Sequence, residues 1–174
     1  MKRLLLLPVL MFGISFACDQ PYEEVAGIKI GCSLGSSVDY KEYMAGNDLY
    51  GGGMVFRDIK NAAPFNLEAI LYIDGLVEGL ILGTPKGSSS EADFKVLVES
   101  MKSRWGDPEV TEDHRSYSAL FVNNESKIVE LVAATVSKSD GSMTVVYRTK
   151  KSLEAEERQE AKEKALLRKK YDGL

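Results

Sequence analysis

Leu67-Glu-Ala-Ile-Leu-Tyr-Ile-Asp-Gly-Leu-Val-Glu-Gly-Leu-Ile-Leu82 is the stretch that decides the fold. Two apolar runs, Leu67–Ile73 and Leu76–Leu82, flank Asp74-Gly75, a dipeptide that accepts the positive φ values of a tight primed turn. The stretch therefore predicts an antiparallel hairpin. Gly79 within the second strand points to a bulge or to a neighbour packed close against the backbone. On this reading Asp74 belongs to the turn and Glu78 to the solvent face of its strand.

Downstream, Glu91–Trp105 places Phe94, Leu97, Val98, Met101 and Trp105 on one helical face. Ser90 with Asp93 supplies a capping-box start, and Gly106 followed by Pro108 supplies the stop. Trp105 shares the register of that face, which assigns it to the core and not to a ligand platform. An acidic linker, Asp107–Arg115, leads into a strand at Ser116–Val122. A second hairpin then joins Lys127–Val136 to Met143–Thr149 across Ser139-Asp140-Gly141-Ser142.

Upstream, Val25-Ala-Gly-Ile-Lys-Ile-Gly31 reads as a first strand. Ser36 or Ser37 caps a short helix over Val38–Ala45, which Gly46-Asn47 ends. Gly51-Gly52-Gly53 precedes the strand-like Met54–Ile59 and lacks the Gly-Lys-Ser/Thr of a phosphate loop, so these glycines serve a turn or a close backbone approach. Strands in hairpins must bury one face, and the helix at 91–105 is the available cover. The predicted fold class is α+β: a two-layer sandwich of mostly antiparallel sheet covered by one amphipathic helix, plus a charged C-terminal helix. Both halves read helix then strands, which hints at a degenerate duplication.

The first residues address compartment. Met1-Lys2-Arg3 is a cationic start, Leu4–Phe16 carries no charge, and Ser15-Phe16-Ala17 presents small residues where a leader peptidase reads. Residues 1–17 are thus expected to be a signal peptide, 18–151 a single α+β domain, and 152–174 a charged helix. Pro8 and Gly13 interrupt the apolar run, which is too short to span a bilayer. Cys18 would become the first mature residue, so lipid attachment there is one alternative, although Ser15 stands where lipoprotein leaders carry an aliphatic residue. The favoured alternative pairs Cys18 with Cys32, leaving no odd thiol in an oxidising compartment. Such a bridge contributes about 3 kcal/mol in the chain-entropy model.

Composition narrows the chemistry. The chain has 174 residues, 22 Lys+Arg, 26 Asp+Glu and a formal charge of −4; losing Lys2 and Arg3 with the leader makes it −6. An acidic chain does not track a nucleic-acid backbone. One His and two Cys exclude His-pair metal motifs and a self-contained four-cysteine zinc site. Neither a metal nor a cofactor is expected. His114, with Asp113 or Glu112 to orient it, is the sole neutral-pH acid–base candidate, but no Gly-x-Ser-x-Gly elbow supplies a nucleophile. Asp48, Asp58, Asp74 and Glu78 are nominal carboxylates for a small hydrolase. Tyr40, Tyr43 and Tyr50 cluster around the short helix and the glycine turn and form the candidate binding surface, because tyrosine is favoured at recognition surfaces.

Ser152–Tyr171 is a helix that complements its own dipole. Glu154–Arg158 and Glu160–Lys164 stand at i,i+4, and Arg168, Lys169 and Lys170 occupy the last turn. Its thin apolar content, with Leu166 and Leu167, makes it a solvated tail or an arm for a partner or for self-association.

Gly27-Ile-Lys-Ile-Gly31 before a short helix, Ile73-Asp-Gly-Leu76 in a hairpin and Trp105-Gly-Asp-Pro108 closing a helix give the chain a layout that resembles small Gram-negative envelope domains of the SmpA/BamE type and β-lactamase-inhibitor-like modules. The resemblance implies a non-enzymatic protein-binding module of the cell envelope, periplasmic or secreted, whose partner is another envelope protein. The alternatives are an assembly component acting through the C-terminal helix and a carboxylate-dependent hydrolase.

Overall fold

The computed structural model describes residues 18, 20–37, 44–45, 52–59, 64–122 and 125–171. The first elements are β1 (Glu23–Val25), β2 (Ile28–Ile30) and α1 (Leu34–Ser37). Next come β3 (Met44–Ala45), β4 (Gly53–Asp58), β5 (Leu67–Ile73) and β6 (Leu76–Gly83). The second half holds α2 (Glu91–Trp105), β7 (Glu109–Glu112), β8 (Ser116–Phe121), β9 (Val129–Ser137), β10 (Met143–Thr149) and α3 (Lys150–Tyr171). The class is α+β as expected.

Eight strands form one antiparallel sheet in the order β3-β4-β5-β6-β10-β9-β8-β7, and β1 and β2 make a separate two-stranded hairpin. The large sheet is two meanders, β3–β6 and β7–β10, joined where β6 pairs with β10. Each meander follows a helix, α1 or α2, so the two halves share one order of elements.

The hairpin of β5 and β6 forms across Asp74-Gly75, with φ of 52° and 77°, the pair of positive values a type I′ turn requires. The same chemistry corrects the single strand expected over residues 25–31. Ala26 (φ 51°) and Gly27 (φ 80°) both turn left-handed, splitting that segment into β1 and β2. Three further expectations shift. The short helix stands at Leu34–Ser37, upstream of its expected place, and Met44–Ala45 pairs with Phe56 and Val55 as a strand, while residues 38–43 lie outside those described. Within the expected acidic linker, Glu109–Glu112 is strand β7, because pairing with β8 satisfies its backbone whatever its side-chain charge. The C-terminal helix starts at Lys150, immediately after β10.

One face of the sheet carries the core. Phe94, Val98, Met101 and Trp105 of α2 are buried over β8 and β9, against Ala119, Phe121, Val132, Ala134 and Val136. The rings of Trp105 and Tyr147 pack 5.6 Å apart. Helix α2 is delimited as its sequence demands: the Ser90 hydroxyl accepts from the Asp93 N–H, the Asp93 carboxylate accepts from the Ser90 N–H at 2.8 Å, and Gly106 closes the helix at φ 79°. The β1–β2 hairpin and α1 add Val25, Ile28, Ile30 and Leu34 to this core. They are tied down twice: Cys18 and Cys32 form a disulfide with Cα atoms 5.5 Å apart, and residues 31–34 bond the end of β6 through Gly31 N to Val77 O, Val77 N to Cys32 O and Leu34 N to Gly75 O.

At Gly79 the sheet changes partner. Register slips between Leu71 and Tyr72, so Glu78 bulges out of the β5–β6 ladder. Gly79 pairs with Arg148 of β10, whereas Val77 bonds Gly31 and Cys32, and Leu76 bridges Ser33. A Cβ at Gly79 would lie 3.0 Å from the Tyr147 carbonyl oxygen, so the glycine serves both roles expected of it, bulge and close approach. The bulge also corrects the placement of Glu78. It is buried, accepting a hydrogen bond from the Thr149 hydroxyl with Lys151 Nζ 3.8 Å away, because the extra residue turns it away from solvent.

Candidate functional site

Among the described residues, no layer lies over most of the width of the second face of the sheet. Along β9 and β10 burial alternates residue by residue: Val132, Ala134, Val136, Val145 and Tyr147 are buried under α2, while Leu131, Ala133, Thr135, Thr144 and Val146 are half-buried on the opposite side. Period-two alternation explains the geometry. It does not explain why the second face is so apolar.

Pairing register supplies the site. Met44 stands opposite Phe56, Phe56 opposite Ala69, Ala69 opposite Ile81, Ile81 opposite Val146, Val146 opposite Ala133, and Ala133 opposite Leu120. These residues make one uninterrupted apolar row across seven adjacent strands. Glu109 of β7 ends it, opposite Leu120. Six interstrand spacings of about 4.8 Å make the row roughly 29 Å long. A neighbouring row holds Leu67, Gly83, Thr144, Thr135, Ser118 and Thr111, uncharged until Asp58 at its end. The row on the other side runs Met54, Leu71, Gly79, Arg148, Leu131.

Helix α3 covers only that last row. Arg148 lies on the face, and its guanidinium donates to the Ser152 hydroxyl and carbonyl at 2.9 Å each and meets Glu156 at 3.1 Å. Ser152 and Ala155 are buried there, and Lys151 bonds Asp74 at 2.7 Å, holding that carboxyl below its ordinary range. From Glu160 to Lys170 every α3 residue is exposed, with Leu166 at 66% and Leu167 at 53%. The helix therefore leaves the sheet after about three turns, and among the described residues nothing else is placed over the apolar row.

The residues singled out from sequence meet different fates. Tyr40, Tyr43, Tyr50 and Asp48 lie outside the described residues. A Cβ at Gly52 would collide with the Tyr72 backbone carbonyl, in keeping with the close approach expected there, whereas at Gly53 it would meet the Tyr72 ring, whose side chain would have to move. His114 is exposed, and its Nε2 accepts from Arg115 Nε at 3.0 Å. Neither proposed orienter bonds it. Asp113 accepts from the backbone N–H groups of Arg115 and Ser116 at 2.7 Å each, which lowers its pKa, and Glu112 accepts from Lys138 at 2.6 Å. Of the nominal carboxylates, Asp74 and Glu78 share Lys151 near one end of β5 and β6, whereas Asp58 stands at the other end of the sheet opposite Leu67. Among the described residues no cluster of His, Cys, Asp or Glu is placed to hold a metal ion, and no helix is long and apolar enough to cross a membrane.

Sequence reasoning missed the open row, since its members come from seven strands and only pairing register brings them together. A signal existed: in Met143–Thr149, Val145 and Val146 are both apolar on opposite faces, where a strand with one wet side would alternate with polar residues. Compared with family models, curated proteins and solved structures, the chain matches none. The functional reading accordingly rests on geometry.

Proposed function

We propose that this chain is a non-enzymatic binding module of the bacterial cell envelope, exported by its leader to the periplasm or beyond, whose open sheet face docks another envelope protein. The observation that carries the reading is the charge-free row from Met44 to Leu120. With the one flanking row that α3 leaves free, the face has a footprint of roughly 29 by 14 Å, on the order of 400 Å², the size of the largest patches on ordinary monomers and below one side of a standard interface. The partner it suits presents a flat apolar surface, with hydroxyls matched by Thr144, Thr135 and Ser118 at the rim. The Cys18–Cys32 bridge supports an oxidising compartment, and the resemblance to envelope modules implies the same mode of action.

Photo-crosslinking tests the reading directly. A benzophenone amino acid in place of Ile81, in cells that make the protein, should yield a discrete adduct with one partner, whereas the same group in place of Val96 on the exposed side of α2 should not. Adducts at Val96 but none at Ile81 would remove the sheet face from consideration. An adduct of twice the monomer mass would replace the foreign partner with a second copy.

A second reading, association through α3, is favoured by the exposure of Leu166 and Leu167 on a helix that has left the sheet. Truncation after Gln159 should then abolish association and leave the melting temperature unchanged; association that survives the truncation excludes it.

A further inference from the structure

A different surface, independent of the open face, lies at the far edge of the sheet. Strand β7 is the last in the strand order, and among the described residues nothing pairs with its outer edge. The phase of its ladder follows from one bond. Asp113 N donates to Ser116 O at 3.0 Å, which makes those residues a hydrogen-bonded pair. By the alternation of an antiparallel ladder, Thr111 and Glu109 then bond inward to β8, and Val110 and Glu112 direct their N–H and C=O groups outward.

The side chains of those same two residues stand on the α2 side of the sheet, in register with Ala119 and Tyr117. Helix α2 packs over β8 and β9 and stops short of β7, leaving a groove of about 540 Å³ between them. Phe94, Val98, Pro108 and Val110 supply its apolar lining, and Val110 is 59% exposed. Four carboxylates, Glu91, Glu99, Asp107 and Glu112, stand around it against the two ammonium groups of Lys95 and Lys102. Three ion pairs already engage these acids, Glu91 with Lys95 at 2.6 Å, Glu99 with Lys102 at 2.8 Å and Glu112 with Lys138 at 2.6 Å, so the surplus is one carboxylate, Asp107, beside the exposed Glu109 of β7.

We propose that this edge and groove accept an extended peptide segment of alternating basic and apolar residues, added to the sheet as a ninth strand beside β7. The backbone groups of Val110 and Glu112 bond the incoming chain, apolar side chains opposite Val110 and Glu112 line the groove side, and the basic side chains, on the other face by period-two alternation, fall opposite Glu109 and Thr111, where Glu109 meets them. Glu109, with Asp107 just before the strand, selects the occupant. Two copies of β7 edge to edge would bring like charges together, which discourages self-pairing, while a basic strand meets opposite charge across the ladder. Strand addition of this kind draws affinity from the main chain and specificity from alternate side-chain pockets.

The test uses the full mature chain and two fluorescein-labelled heptapeptides, Lys-Val-Lys-Val-Lys-Val-Lys and its Glu-for-Lys counterpart. Fluorescence anisotropy should show saturable binding of the basic peptide and at least about tenfold weaker binding of the acidic one. Val110→Pro removes an outward N–H without taking a ladder bond, a change edge strands tolerate. It should abolish binding, whereas Val110→Ala, which keeps that N–H, should retain part of it. Amide exchange supplies a readout without mutation: the basic peptide should slow exchange at Val110 and Glu112 more than at Glu109 and Thr111. Equal affinity for the two peptides, undiminished binding by a folded Val110→Pro variant, or no slowing at Val110 and Glu112 would each overturn the proposal. The Ile81 crosslink is unaffected by any of these outcomes, so the two surfaces fail separately.

Discussion

Val145 and Val146 are neighbours on one strand with the same side chain and opposite situations. Val145 lies under α2 at 1% exposure, and Val146 sits in the middle of the open row. The two faces of this sheet are nearly equal in apolar character but unequal in cover. On the α2 side each side chain has a fixed neighbour above it, so its contribution is to folding. On the open side the side chains are half-buried, and among the described residues nothing is layered over them. A protein that built only for stability would alternate apolar with polar along these strands; this one keeps Leu120, Ala133, Val146 and Ile81 in a line.

That difference is open to measurement, beginning where the effect should be largest. Trp105→Ala, on the covered side, should cost about 3–5 kcal/mol in urea unfolding, through lost burial and the cavity left against Tyr147. Leu120→Gln, on the open side, should cost under about 1 kcal/mol, as surface changes do. Comparable losses at both positions would mean that the faces are equally covered. Next comes the bridge that secures the β1–β2 hairpin over the covered face. Its reduction should lower stability by about 3 kcal/mol, seen as an earlier urea midpoint in dithiothreitol. A midpoint insensitive to reductant would detach that hairpin from the core.

Glu78 sits where β6 changes partner. Glu78→Ala leaves the buried Thr149 hydroxyl without its acceptor and should cost about 1–3 kcal/mol. A neutral result would place the bulge in water. The smallest effect concerns the start of α2. The Ser90 hydroxyl, and after it the Ser90 N–H, hold the Asp93 carboxyl below its ordinary value of 3.8. A carboxyl depressed in the folded state contributes stability that is present above the unfolded pKa and lost as pH falls through the folded one. The melting-temperature gap between wild type and Ser90→Ala should accordingly narrow as pH drops below 3.8. A gap independent of pH would rule out the Asp93 carboxylate as its source.

Elements whose reasons are local were legible in the chain. Asp74-Gly75 made its turn because both residues accept positive φ. Helix α2 runs over Glu91–Trp105 because its cap, apolar face and glycine stop lie within one short segment. Elements that depend on distant partners were not. Ala26-Gly27 is a weaker turn signal than Asp-Gly, so β1 and β2 merged into one strand. β7 looked like a linker because an edge strand needs no apolar side chains, only a neighbour for its backbone. Glu78 read as a surface acid because a one-residue bulge reverses the face on which a side chain stands. The open row was invisible for a related reason, since lateral adjacency across seven strands is a property of register.

By itself the amino-acid sequence determined the α+β class, the two hairpin turns, the extent of the covering helix and the two cysteines available to bridge, all set by chemistry within a few residues. Only the tertiary structure decided that the halves meet at β6 and β10, that α3 leaves the sheet after about three turns, and that seven apolar side chains line up on a face that no other described element covers. Those outcomes follow from strand order and register, which long-range pairing selects and no single segment encodes.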